Sequence, residues 1–191
     1  MSDTAHAQLR AVQRHDAILR AARELMIREG MSAVTHRQVA DAAEVPLSSI
    51  RYYFSTREDL LQACMRQIMG ERDTEARHVL AQAHPGVSAE EAAHLFLRAF
   101  YGPDLGDTML LGIVGMVVDC ARATPELSRL LQDQRVIIEE DFTALLIKCG
   151  QPHVPVTLIA AVIDGSLLNA AALRHENLAD IATNELAALL T

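Results

Sequence analysis

Apolar residues recur at three- and four-residue steps along most of the chain, and each run is bounded by a capping or breaking residue. Ile18, Ala21, Ala22, Leu25 and Met26 form the first such stripe, which predicts a helix over 14–29 closed by Gly30. Thr35 is a good N-cap and, with Gln38 three residues later, reads as the capping box of a short second helix reaching residue 43. Pro46 marks a break, and as a first helical residue it opens a third helix running to residue 53. Leu47, Ile50 and Phe54 share the inner face of that helix, while Ser48, Arg51 and Tyr52 share the outer one. A fourth stripe, Leu60, Leu61, Cys64, Met65, Ile68 and Met69, begins after Ser55 and points toward the break at His84-Pro85-Gly86.

The same grammar continues beyond that break. Ser88 and Glu91 make a capping box for a helix to residue 101, which Gly102-Pro103 ends. A more apolar helix follows over 107–123, and Pro125 opens another of roughly 25 residues that stops at Cys149-Gly150. The last two helices are predicted over 156–175 and 178–190, with Asn177 as the cap between them. Nine Gly, six Pro and few runs of β-branched residues leave little material for hairpins. The fold class is therefore all-α, with about nine helices. Residues 154–173 are long and apolar enough to need a membrane check, but Asp164 at their middle costs roughly 3 kcal/mol on insertion scales. A buried helix of a water-soluble domain is the better reading, so no membrane partner is expected.

With 191 residues and 50% apolar content, the chain can bury a sizeable core as one medium domain or two small ones. Charge divides it: residues 1–70 carry nine Arg against eight acidic groups, whereas residues 71–191 carry eight basic against seventeen acidic groups. An acidic body repels a polyanion, so nucleic-acid contact belongs to the first seventy residues and must be specific rather than diffuse. Cys64, Cys120 and Cys149 are few and widely spaced, which suits reduced thiols. No apolar stretch of signal-peptide length opens the chain, so a cytoplasmic location is expected. There is no HExxH, GxSxG, glycine phosphate loop or metal-ligand spacing among eight histidines. No enzymatic activity, catalytic residue, metal or cofactor is predicted.

Residues 35–53 have the arrangement of a helix-turn-helix. Ala40 is small enough for two short helices to cross closely, and Val45 and Ile50 close the core between them. The outer face of the second helix can then enter a major groove about 12 Å wide, with Ser48, Ser49 and Arg51 at base edges. The stretch THRQVADAAEVPLSSIRYYFSTREDLL resembles the signature of the TetR family of bacterial transcriptional regulators, through Tyr52-Tyr53-Phe54, Ser55-Thr56-Arg57-Glu58 and Leu60-Leu61. The likeness covers roughly residues 14–66, with a weaker echo in the Asp164-Gly165 pair. Three positions depart from the pattern. Glu44 stands where a turn glycine is usual, so either a residue with a Cβ adopts the left-handed conformation, at about 1 kcal/mol, or the turn differs. Pro46 replaces a Ser cap, and Arg51 replaces a frequent Tyr, adding a donor fork suited to guanine.

The resemblance implies a domain of three helices at 1–55 that binds a double-stranded DNA operator, and a larger helical effector-binding and dimerisation domain at 56–191. It implies phosphate contacts from Thr35, His36 and Arg37, from Tyr52 or Tyr53, and from Arg57. It also implies a homodimer formed by the last two helices, with Ala160, Asp164, Gly165, Leu168, Ala172 and Leu186 at the interface. The sequence supports pairing independently, because 156–172 is apolar nearly all round and rich in small residues. A small-molecule effector is implied too, with a site among Phe96, Phe100, Met109, Met116, Cys120 and Phe142, residues equally suited to ordinary core. The functional expectation is a regulator, most often a repressor in this family, released from a palindromic operator by its effector. The rival readings are a dimeric helical ligand carrier and a protein-interaction module that does not read DNA.

Overall fold

The computed structural model describes residues 2–191, and every regular element among them is helical. In chain order these are α1 (Ser2–Glu29), α2 (His36–Ala42), α3 (Leu47–Tyr53), α4 (Arg57–Gln82), α5 (Ala89–Tyr101), α6 (Asp107–Cys120), α7 (Pro125–Lys148), α8 (Val156–Ala172) and α9 (Leu178–Leu189). A 3-10 turn, Met31–Ala33, separates α1 from α2. The chain divides into two compact units, Met1–Ile68 and Met69–Thr191.

In the first unit α1 packs against the 3-10 turn and α2, and α2 against α3. Ile18, Ala22 and Met26 of α1 are fully buried, as are Val34, Val39 and Ile50, which makes the predicted stripes one core. Helix α1 starts twelve residues before the predicted start at residue 14. Nothing in 2–13 breaks a helix, and Leu9 and Val12 are more than half exposed, so this extension has no packing period to read. Leu47 is also exposed, at 37%, unlike its expected partners Ile50 and Phe54, because it sits in the opening turn of α3. Pro46 is the residue before the helix rather than its first member.

Helix ends explain the loops. After α2, Glu44 N–H donates to Asp41 O (3.3 Å) and Val45 N–H to Ala40 O (3.0 Å), with Glu44 at φ 53°. This is a Schellman ending, so the usual turn is kept and glutamate occupies the left-handed position. Gly150 (φ 77°) closes α7 in the same way. Arg174 (φ 58°) does so after α8, which therefore stops at Ala172, short of residue 175.

In the second unit α9 packs on α8 and α5, and α7 on α5 and α8, around Phe96, Leu97, Leu110, Leu127, Phe142 and Leu145. Asn177 precedes α9 but its side chain caps nothing. The carboxylate of Asp107, seventy residues earlier, accepts from the N–H groups of Asn177 (3.1 Å) and Leu178 (2.9 Å) instead. Arg72, only 4% exposed, donates to Ala99 O and pairs with Asp73 (3.0 Å) and Asp141 (2.6 Å), joining α4, α5 and α7. The three thiols are buried. Burial pushes Cys64 up to about 12 and Cys120 to about 11, the latter helped by the Asp119 charge, and it raises Cys149 as well. Among the described residues, no helix is long and apolar enough to cross a membrane.

Candidate nucleic-acid interface

Thr35 is extended and accepts Gln38 N–H on Oγ1 (3.2 Å), while its hydroxyl donates to Gln38 Oε1 (2.8 Å). The capping pair thus forms, though the return bond goes to the hydroxyl, since Thr35 N–H is taken by Ala33 O (2.9 Å). Arg37 is exposed on α2, and His36 is half-buried. Among the described residues, His36 Nε2 is buried without a hydrogen-bond partner.

On α3, Ser48, Arg51 and Tyr52 are exposed and Ser49 is half-buried, with Tyr52 83% exposed. A polar face carrying a guanidinium is thereby offered outward by a helix whose other side is anchored by Ile50. Tyr53 points the other way. Its hydroxyl donates to Ala11 O of α1 (3.0 Å), and its ring meets His15 edge-on, with centroids 5.5 Å apart. His15 also stacks at 5.5 Å on Phe54, so this histidine seats α3 on α1. A lone His outside the α1 stripe gave no sequence signal of that role.

The start of α4 is closed by its own residues. Asp59 Oδ2 accepts from Ser55 Oγ (2.8 Å) and Thr56 N–H (2.9 Å), and Asp59 N–H donates to Thr56 Oγ1 (3.0 Å). The Ser55 and Thr56 hydrogen bonds hold the Asp59 carboxyl below its ordinary value. Arg57 is exposed, but its guanidinium bends back onto the chain, where Nε donates to Val34 O (2.7 Å) and Nη2 to Met31 O.

The residues named for an effector divide into two groups. Phe96, Phe100 and Phe142 meet ring to ring, with centroids 5.3 and 5.4 Å apart. Met116 and Cys120 are buried on α6, whereas Met109 is half-buried and borders a surface cleft of about 470 Å³ with Asp104, Asp107 and Asp180. Beside the aromatic group, the Arg135 guanidinium lies 4.9 Å over the Phe100 ring and donates to Asp164 (3.3 Å). Asp164 also accepts from the Tyr101 hydroxyl, whose proton is held far more tightly than usual by burial and by the Asp164 charge. Of the residues named for a dimer interface, Gly165, Leu168 and Ala172 are exposed along α8, and Ala160 is half-buried. Asp164 is engaged with α5 and α7, and Leu186 is fully buried inside its own chain.

The sequence profile described as bacterial regulatory proteins, tetR family, matches residues 18–64, the stretch that builds this helix-turn-helix. A member of the TetR family from Streptomyces coelicolor A3, SCO1917, superposes with a TM-score of 0.65 at 25% identity, covering 92% of this chain and 97% of that one. Over residues 18–64 the chain matches the TetR-family profile, and over most of its length it has the fold of a TetR-family member. A second solved structure to which the chain is similar is the multidrug binding protein EbrR complexed with malachite green. It is 25% identical, with a TM-score of 0.63 over 91% of this chain and 96% of that one. A curated relative, an uncharacterised HTH-type transcriptional regulator in the dhlA 5′ region of Xanthobacter autotrophicus, is 36% identical over 91 residues. That match spans 48% of this chain and 43% of the relative. The family is one of DNA-binding regulators rather than enzymes.

Proposed function

We propose that this chain is a cytoplasmic transcriptional regulator, a repressor that binds a palindromic operator as a homodimer and leaves it when a small molecule binds. The observation that carries the DNA reading is the outer face of α3, where Ser48, Arg51 and Tyr52 stand exposed on a helix fixed from behind by Ile50 and Phe54. Such a face suits a polar groove better than a dry protein interface. Arg51, with Ser48 and Ser49, reads bases, and Arg37, Thr35, His36 and Tyr52 meet phosphates.

Pairing is supported by the face of α8 that carries Leu158, Ala161, Gly165, Leu168 and Ala172, all exposed at three- and four-residue steps. A Cβ at Gly165 would meet nothing within 4 Å beyond its chain neighbours and its own helix backbone, so the helix is bare there and can take another helix closely. A second copy on this face would give the two-fold symmetry that a palindrome mirrors, with recognition helices roughly 34–36 Å apart. The part of the chain beyond residue 55 takes the effector, with Phe96, Phe100, Met109, Met116, Cys120 and Phe142 as its residues. EbrR, of like fold, is a multidrug binding protein, which supports a small-molecule ligand here.

The test is selection of bound duplexes from a random DNA pool at about 0.15 M salt, where diffuse electrostatic binding is screened. An enriched inverted repeat is the expected result. No enrichment by a folded dimer would overturn the DNA reading.

A further inference from the structure

Arg57, the first residue of α4, is exposed, yet one edge of its guanidinium is already engaged within the chain. Arg57 directs one edge of its guanidinium, Nε and Nη2, onto the carbonyls of Val34 and Met31. Those carbonyls flank the 3-10 turn that leads from α1 into α2. Within the turn, Ala33 N–H reaches Gly30 O at 3.2 Å, Val34 N–H reaches Met31 O at 3.2 Å and Thr35 N–H reaches Ala33 O at 2.9 Å, after a Gly30 at φ 84°. Met31 and Val34 are buried, at 5% and 0% exposure, so their carbonyls need partners within the protein. The next residue is Thr35, whose hydroxyl caps α2.

We infer that Arg57 is a positioning residue for DNA reading, which clamps the Met31–Val34 turn and so fixes where α2 begins, rather than a phosphate contact. A planar fork with two parallel donors matches two carbonyls at once, and its charge strengthens both bonds. Lysine keeps the charge but offers a point donor on a flexible stem. The two roles therefore separate. A phosphate contact survives Arg57→Lys, whereas a two-carbonyl clamp does not. The effect on affinity rests on the DNA-binding reading above, but the clamp itself exists without DNA.

Both arms of the test use the full chain at a temperature where wild type and variant are folded. In DNA-free protein, hydrogen exchange at the Ala33, Val34 and Thr35 amides is expected to accelerate about ten-fold or more in Arg57→Lys, as one charge-assisted hydrogen bond is worth that factor, while α1 core amides stay as in wild type. Unchanged exchange at the turn would overturn the inference. On the selected duplex, Arg57→Lys is expected to bind about ten-fold more weakly with the slope of log affinity against log salt preserved. Binding within about two-fold of wild type would also overturn it, as would an Arg57→Ala slope that falls by about 0.9, the drop for one lost phosphate and the change expected of Arg37→Ala. A wild-type chain that selects no DNA sequence would refute the DNA reading alone, and the exchange arm would still decide the clamp.

Discussion

Glu44 provides a direct test of how the helix-turn-helix is built. It holds the left-handed position of a Schellman ending at φ 53°, where Cβ crowding costs about 1–2 kcal/mol for a residue other than glycine. Glycine removes that strain but loses about 0.5–1 kcal/mol more backbone entropy on folding. Glu44→Gly should therefore stabilise the protein by a net of about 0.5–1 kcal/mol. Because the substitution also removes a charge, Glu44→Ala is the proper reference: it loses the same charge and keeps the Cβ. Thermal melting by circular dichroism reads the difference. A gain of 1 kcal/mol raises Tm by roughly 4–8 °C if the first unit melts alone, and by about half that if the whole chain melts as one. A Glu44→Gly protein that melts at or below Glu44→Ala would refute the backbone argument.

Four further outcomes can be checked. Asp59→Asn should lower Tm at neutral pH. The lowered Asp59 pKa makes the carboxylate's contribution full above its ordinary 3.8 and lost as pH falls below it, so the two melting curves should converge in acid. Asp107→Ala removes the cap on α9 and should cost about 1 kcal/mol by denaturant titration, although the two residues it serves lie far along the chain. Arg72→Ala strands Asp73 and Asp141 beside a buried gap and should cost about 3 kcal/mol in the same titration, the low end for a broken buried pair because both carboxylates keep some water. Arg51→Ala should relax base preference at one position in each half-site of the selected operator, and equal loss on all sequences would sink its base-reading role.

Most element boundaries were legible because each run of helical period ended in a local signal: Ser88, Pro125, Gly102 and Gly150 lie where their types predict. Signals that depend on distant partners were not. Asn177 looked like a cap by type, yet the bond acceptor is Asp107, and no sequence window holds both. Leu47 and Leu186 carry the same apolar side chain; one faces solvent and the other is fully buried, a difference set by which helices pack beside them. Arg57 and Tyr53 were named for phosphates from the motif in which they stand. Their engagement with Val34, Met31 and Ala11 depends on how the 3-10 turn and α1 come back past them.

The placement of the three thiols has a practical consequence. Cys64 lies in the first compact unit, and Cys120 and Cys149 lie in the second. With their thiolates suppressed by burial, none reacts readily while its helix stays closed. An alkylating reagent therefore times the opening of each unit, adding one mass increment for the first and two for the second. The wild-type chain is thus its own two-channel stopwatch, and the order in which the increments appear, with and without DNA or a candidate effector, tells which unit each ligand holds shut.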